Sequence, residues 1–183
     1  VLLRLLQLLL AVAASTALAA AGTTVVLRTG RPSWCAVLAG SGAGLLLGCY
    51  GPLVFLDGFL LRDGPLVSLS ALLLALPLLG PSSPRTREIL ALGVLGGVST
   101  LLKQTVLPLA LAAGVVVVLR EESRRRRLRS AVAFGAAFIL PLVPLVARNL
   151  AVGAPAFAFD TRPAVCFPWA NARGADGSVV PSP

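Results

Sequence analysis

The sequence predicts an all-α protein, a polytopic bundle of about six transmembrane helices. Composition is the first reason: of the 183 residues, 57% are hydrophobic and 13% are charged, and the mean hydropathy is +0.91. Soluble domains carry about 25% charged residues, and a chain of this length has no interior that would hold so much apolar surface. The second reason is that long apolar runs form helices in lipid, where every backbone polar group needs an internal partner.

Apolar runs follow one another along residues 1–147, and we expect each to be one membrane span. A span needs about 20 residues, or fewer where flanking side chains reach the interface. The region 89–119 is divided, because one helix of this length would measure about 46 Å against a hydrocarbon core of about 30 Å. Residues 148–183, rich in Pro, Gly, Ala and Asn, are predicted to form an extracytoplasmic loop. The expected spans are 5–26, 34–56, 65–80, 89–102, 105–119 and 130–147.

Basic residues indicate the orientation of these spans. With two spans in 89–119, the loops 27–33, 81–88 and 120–129 share one side and carry ten Lys or Arg residues, against six on the other side. With one span, the loops 57–64 and 120–129 carry seven Lys or Arg residues, and the loops and tail on the opposite side also carry seven. Cytoplasmic loops are enriched in Lys and Arg, so we expect the first arrangement, in the plasma (inner) membrane, with 120–129 cytoplasmic and 148–183 outside.

The net charge of +9 does not indicate a nucleic-acid partner, since the basic residues lie in short loops without the aromatic neighbours that stack on single strands. Histidine is absent and the cysteines Cys35, Cys49 and Cys166 are far apart, so no metal centre or redox motif is predicted. We expect no cofactor, although dependence on a divalent metal stays open. Because Val1 opens inside an apolar run, we expect a fragment of a longer protein.

Small residues recur at helical spacing in two of the predicted spans. Gly40, Gly44 and Gly48 follow one another at intervals of four, and Gly93 and Gly97 repeat the spacing. Such stripes let membrane helices approach closely. A nucleotide-binding glycine loop would need a preceding strand, so we interpret both stripes as helix-packing surfaces.

Several polar residues near the predicted external ends of the spans have two interpretations each. Lys103 is either a lysine that snorkels to the interface or a cation that faces a lipid phosphate. Arg148 is either an interfacial anchor or a phosphate clamp. Asp63 is a helix cap or part of an active-site wall, and Trp169 either stacks on a sugar or anchors at the interface.

Four stretches of the chain together resemble one family. They are "VLLRLLQLLLAVAASTALAA", "FLDGFLLRDGPLVSLSALLLAL", "ALGVLGGVSTLLKQTVLPLAL" and "VPLVARNLAVGAPAFAFDTRPAVCFPWANARGADG". In order and spacing they resemble segments of the polyprenyl-phosphate-dependent glycosyltransferases of the GT-C type, which include protein O-mannosyltransferases and the aminoarabinose transferase of lipid A. The resemblance covers nearly the whole chain. One departure is Ala170, where the family has a glycine before its asparagine.

The resemblance implies that a sugar is transferred from a polyprenyl-phosphate carrier to a protein, lipid or glycan acceptor on the extracytoplasmic face. It further implies that Lys103 and Arg148 hold the phosphate, that Asn149, Asn171 and Trp169 shape the sugar pocket, and that Arg62 and Asp63 line its mouth. The family's catalytic carboxylate would lie upstream of Val1. The alternatives are a non-enzymatic multi-pass membrane subunit or transporter, for which we find no internal repeat, and a gene remnant.

Overall fold

The computed structural model of the chain describes residues 2–49, 63–81 and 84–158. The regular elements in these ranges are all helical and include no strand, so the all-α prediction is confirmed. The chain divides into two compact units, Val1–Leu142 and Val143–Pro183. The division falls inside the predicted run 130–147.

The helices follow the predicted apolar runs in order along the sequence. The part of run 34–56 that follows Cys49 lies outside the described residues. The first unit contains α1 (Leu2–Arg28), α2 (Ser33–Gly48), α3 (Asp63–Leu79), α4 (Thr86–Leu102), α5 (Leu107–Leu119) and α6 (Arg124–Ile139), and the second contains α7 (Val143–Ala151). Short 3-10 segments, Gln104–Val106 and Leu140–Leu142, precede α5 and α7.

The region 89–119 forms two helices, as the length argument predicts. Helix α4 ends at Leu102, and Lys103 takes an extended conformation with φ −157° and ψ 118°. A Cβ placed on Gly96 would lie 3.1 Å from Cβ of Ala110, and these two positions are equally far from Lys103 along the chain. Helices α4 and α5 are therefore an antiparallel pair with Lys103 in the turn.

Helix α6 begins earlier than the predicted run 130–147. The Ser123 hydroxyl accepts a hydrogen bond from the backbone N–H of Arg126 at 3.2 Å, which is an N-cap. Arginine is a good helix former, so the basic run continues the helix instead of remaining in the loop. The predicted loop 120–129 was too long: only Arg120 to Ser123 separate α5 from α6.

The glycine stripes lie at helix contacts, as predicted. Helix α1 packs on α2 and α3, α4 packs on α6 and α5, and α3 also contacts α4 and α5. A Cβ on Gly44 would lie 2.8 Å from Cβ of Ala19, and one on Gly93 would lie 2.7 Å from the carbonyl oxygen of Phe134. Both distances are too short for a real side chain, so the two glycines are what permits these helices to approach so closely.

Two helical stretches of the described residues are long and apolar enough to cross a membrane. They are Leu2–Arg28, with a mean hydropathy of 1.9, and Arg124–Ala151, with 2.2. Ser33–Gly48, Asp63–Leu79 and Gln104–Leu119 are shorter apolar helices. In the two long stretches only 17% and 28% of the apolar window is buried, whereas the core helix of a soluble protein is mostly buried. The exposed apolar surface supports association with a membrane.

Candidate functional site

Lys103 and Asp63 form an ion pair at one end of the first unit. Lys103 Nζ lies 3.3 Å from Asp63 Oδ1, and the two side chains are 43% and 40% exposed. The extended conformation of Lys103 between α4 and the following 3-10 segment directs the chain out of the helix at this position. The pair joins the start of α3 to the α4–α5 turn, and we call this end of the first unit the Lys103 end.

Asp63 is the first residue of α3 and lies in its first turn. A negative charge near a helix N-terminus interacts favourably with the positive end of the helix dipole. Asp63 thus lies at the start of α3 and at the surface, and its two predicted roles, helix cap and active-site wall, stay predictions. Its predicted neighbour Arg62 lies outside the described residues.

The two candidate residues of the second unit differ in their surroundings. Arg148 is exposed in α7, and its carbonyl oxygen accepts a hydrogen bond from Val152 N–H at 3.2 Å. Asn149 is buried, and its Nδ2 donates to the carbonyl oxygens of Ala156 at 3.2 Å and Ala158 at 3.1 Å. Both amide hydrogens of Asn149 are therefore used to hold the segment that follows α7.

Two further candidates, Trp169 and Asn171, lie outside the described residues. Within the described part of the chain, no group of three or more His, Cys, Asp or Glu residues is placed to hold a metal ion. The residues that can recognise a ligand in the described ranges are thus cations and hydrogen-bonding groups at the helix ends.

The other end of the first unit collects the three basic connections, and we call it the basic end. Arg28, which ends α1, donates from Nη2 to the carbonyl oxygen of Gly80 at 3.5 Å. Arg120, which follows α5, donates from Nη1 to the carbonyl oxygen of Pro77. Both carbonyls lie at the C-terminus of α3, where the helix dipole favours cations. The basic loops that the charge count assigned to one side are therefore neighbours in the structure.

Arg120 is partly desolvated in this position. Burial, and then the positive charge of Arg28, lower the pKa of the Arg120 guanidinium from its ordinary value. An arginine nevertheless stays protonated at neutral pH. The C-terminus of α3 is thus held by two permanent cations.

A cavity of about 920 Å³ opens at the basic end, between the start of α4 and the start of α6. We call it the basic cavity. Its lining includes Arg85, Arg126 and Arg129, the acidic residue Glu121, and the apolar residues Leu128 and Val132. Glu121 is 5% exposed, and its Oε1 accepts a hydrogen bond from the Ser130 hydroxyl at 3.3 Å.

From the sequence, the stretch around Glu121 indicates only the orientation of the spans, and the cavity is not predicted. Two acidic residues lie between Arg120 and the arginine cluster that begins at Arg124, in a loop that is otherwise basic. That signal is visible in "LREESRRRR". What the sequence does not reveal is that Glu121 is buried while its neighbour Glu122 is exposed.

Comparison with known proteins was made by family, by sequence and by structure. No protein family, curated protein or solved structure matches the chain. We base the proposed function on the geometry of the described residues and on the four segments quoted above.

Proposed function

We propose that the chain is a multi-pass membrane protein of the GT-C glycosyltransferase type, and that its Lys103 end binds the phosphate of a polyprenyl-phosphate-linked sugar. The observation that carries the proposal is the half-exposed Lys103–Asp63 pair in the turn between two apolar helices. It provides a cation at the end of the unit opposite to the basic loops, which is the end assigned to the extracytoplasmic side.

A cation at this position suits the chemistry of sugar transfer from a lipid carrier. The bond between the anomeric carbon and the phosphate oxygen breaks, and its electron pair stays on the phosphate. The acceptor hydroxyl or amine forms the new bond to the anomeric carbon and gives its proton to a base. Since the phosphate gains negative charge as it leaves, a fixed positive charge beside it stabilises the transition state more than the ground state.

Lys103 is available for such a phosphate although it is paired. Exposed ion pairs contribute roughly 0.2–1 kcal/mol, so a phosphate can replace Asp63 as the partner of Lys103 at little cost. Asp63 then pairs with Lys103 as long as no lipid-linked sugar is bound, and this pairing holds the lysine side chain in the turn. Its removal should leave the cation in place and relieve competition for it.

The remaining candidates keep the roles that the resemblance implies, with one change. The roles that the resemblance implies for Arg148, Arg62, Trp169 and Asn171 stay predictions. Asn149 supports a different role, because its side-chain donors are engaged with the backbone of residues 156 and 158. We propose that it positions the loop that begins the sugar pocket without touching the sugar. The acceptor is a protein, lipid or glycan.

The proposal predicts opposite effects from the two members of the ion pair. In the purified chain, Lys103→Gln should weaken the binding of undecaprenyl phosphate about tenfold, which corresponds to about 1.4 kcal/mol. Asp63→Asn should leave binding unchanged or strengthen it, because it removes a competing anion. Equilibrium binding in detergent micelles, measured by microscale thermophoresis, gives both values.

Arg31→Gln is the matched control, since it removes one positive charge from the loop between α1 and α2 at the opposite end. Equal affinity of the wild-type chain and the Lys103→Gln variant would reject the phosphate site. Equal weakening by Lys103→Gln and Arg31→Gln would show that binding depends on net charge alone.

A further inference from the structure

The basic cavity contains three arginines that form no ion pair within the described ranges. Arg126 and Arg129 lie in the first two turns of α6, and Arg85 precedes α4. None of the three side chains takes part in an ion pair or donates a hydrogen bond to another described residue. Arginine presents several N–H donors in a fixed planar fork that matches the oxygens of a phosphate.

The side chain of Glu121 provides the same cavity with a buried carboxylate, of which one oxygen has no hydrogen-bond partner among the described residues. Its Oε1 is bonded to Ser130, whereas its Oε2 is buried and has no hydrogen-bond partner among the described residues. A buried polar atom without a partner is costly. A carboxylate only accepts hydrogen bonds, so Glu121 Oε2 is able to accept one from a further donor.

The apolar part of the cavity indicates the rest of the ligand. Leu128 and Val132 line it and are 67% and 63% exposed. They are one helical turn apart on α6, and Val132 lies about one turn beyond Arg129, further along the helix than any of the arginines. An acyl chain that follows this face would remain in contact with the cavity while its headgroup reaches the arginines.

We propose that the basic cavity binds the headgroup of an anionic phospholipid that carries a hydroxyl. The phosphodiester lies against the guanidinium groups of Arg126 and Arg129, the headgroup hydroxyl donates to Glu121 Oε2, and an acyl chain lies on Leu128 and Val132. The inference rests on the membrane placement in the proposed function, but it requires neither Lys103 nor a sugar donor. It assigns a structural lipid to the basic end.

The experiment compares two phospholipids of equal charge, one with hydroxyl groups on its headgroup and one without. Phosphatidylglycerol and phosphatidylethanol carry the same single negative charge, but the headgroup of phosphatidylethanol has no hydroxyl. Native mass spectrometry of the detergent-purified chain should show about tenfold tighter binding of phosphatidylglycerol. Glu121→Gln should reduce this preference at least about threefold, since a neutral acceptor binds a hydroxyl less strongly than a carboxylate does.

Neighbouring residues supply matched controls for both parts of the site. Arg126→Gln and Arg129→Gln should each weaken phosphatidylglycerol binding about tenfold, whereas Arg125→Gln, on the same helix but not in the cavity lining, should change it less than about twofold. Glu122→Gln should keep the preference for the hydroxyl. Equal losses in Arg125→Gln and Arg129→Gln, or an unchanged preference in Glu121→Gln, would overturn the inference.

A titration with inorganic phosphate identifies the source of the bound phosphate. If phosphate displaces phosphatidylglycerol only at concentrations far above that of the lipid, the acyl chain contributes to the affinity. This result would support a lipid as the ligand. If phosphate alone binds as tightly and depends on the same arginines, the lipid is rejected and the site belongs to a soluble phosphate compound. The Lys103→Gln variant should bind phosphatidylglycerol like the wild type. A negative result for one of the two proposed sites therefore leaves the proposal for the other unaffected.

Discussion

Asn149 shows how a single side chain acts on the backbone around it. It is the buried member of the Arg148–Asn149 pair, and it donates to two carbonyl oxygens that lie seven and nine residues further along. Its own carbonyl oxygen accepts from Ala154 N–H at 2.8 Å. Between these contacts Gly153 has φ +72°, a conformation that other residues rarely adopt. Asn149 thereby fixes the turn that follows α7.

Replacement of Asn149 by alanine should loosen that turn. The change removes two hydrogen bonds and leaves two carbonyl oxygens without donors, at a cost of roughly 1–3 kcal/mol. Hydrogen exchange of the backbone amides of residues 152–158 should accelerate by about tenfold or more. Leu150→Ala is the control, because the side chain of Leu150 is exposed and its truncation should leave exchange unchanged. Wild-type exchange in the Asn149→Ala variant would contradict the positioning role.

At the scale of the elements, the contact between α1 and α2 depends on small residues. A Cβ on Gly40 would lie 2.5 Å from the carbonyl oxygen of Ala19 and still closer to the Thr23 hydroxyl. Thr23 in turn donates to that carbonyl at 3.0 Å, so neither group is free to move aside. Since apolar helices in lipid associate by close packing and not by the hydrophobic effect, this contact is sensitive to a single methyl group.

A pair of glycine variants on α2 tests the packing. Gly40→Ala should destabilise the fold by about 1–3 kcal/mol, because the new methyl group overlaps the backbone of α1. Gly42→Ala, two residues away, should be neutral or should stabilise by up to about 1 kcal/mol, since nothing lies within 4 Å of its Cβ position and alanine is the better helix former. Thermal unfolding in detergent gives both values. Equal melting temperatures for the two variants would contradict the α1–α2 contact.

The break between α4 and α5 shows what sequence reasoning can predict. The apolar run was too long for one span, and the polar residues Lys103 and Gln104 near its middle marked the place where it divides. The start of α6 was missed because the arginine run resembled a loop by charge, whereas its helix depends on one cap, Ser123. Local signals thus predict where helices occur better than where they begin.

The candidate site was less predictable, because it depends on contacts between distant residues. Lys103 and Asp63 were both singled out, but nothing in the sequence indicates that residues 40 positions apart form a pair. Glu121 was missed for a related reason: it is buried and hydrogen-bonded to Ser130 and Arg127 of α6, and these contacts form only in the folded chain. Patterns in the chain indicate which residues are unusual, and the tertiary structure decides which of them meet.

At the scale of the first unit, charge is divided between the two ends. The basic end holds the connections with Arg28, Arg85 and Arg120, joined by hydrogen bonds to the C-terminus of α3 and by the shared cavity. The Lys103 end holds one ion pair within the described ranges. Because cytoplasmic loops are enriched in arginine and lysine, the division predicts that the basic end lies in the cytoplasm and the Lys103 end outside.

Helix α2 offers a direct measurement of this orientation. Ser33 lies at its start, near the basic end, and Cys49 follows its last residue toward the other end, about 24 Å away along the helix axis. In a first variant, with Cys35 and Cys166 replaced by serine, a membrane-impermeant maleimide should label Cys49 in intact cells. In a second variant, with Cys49 also replaced and Ser33→Cys added, labelling should appear only after the cells are permeabilised. Labelling of the second variant alone in intact cells would invert the orientation, and labelling of both variants there would contradict a membrane-spanning α2.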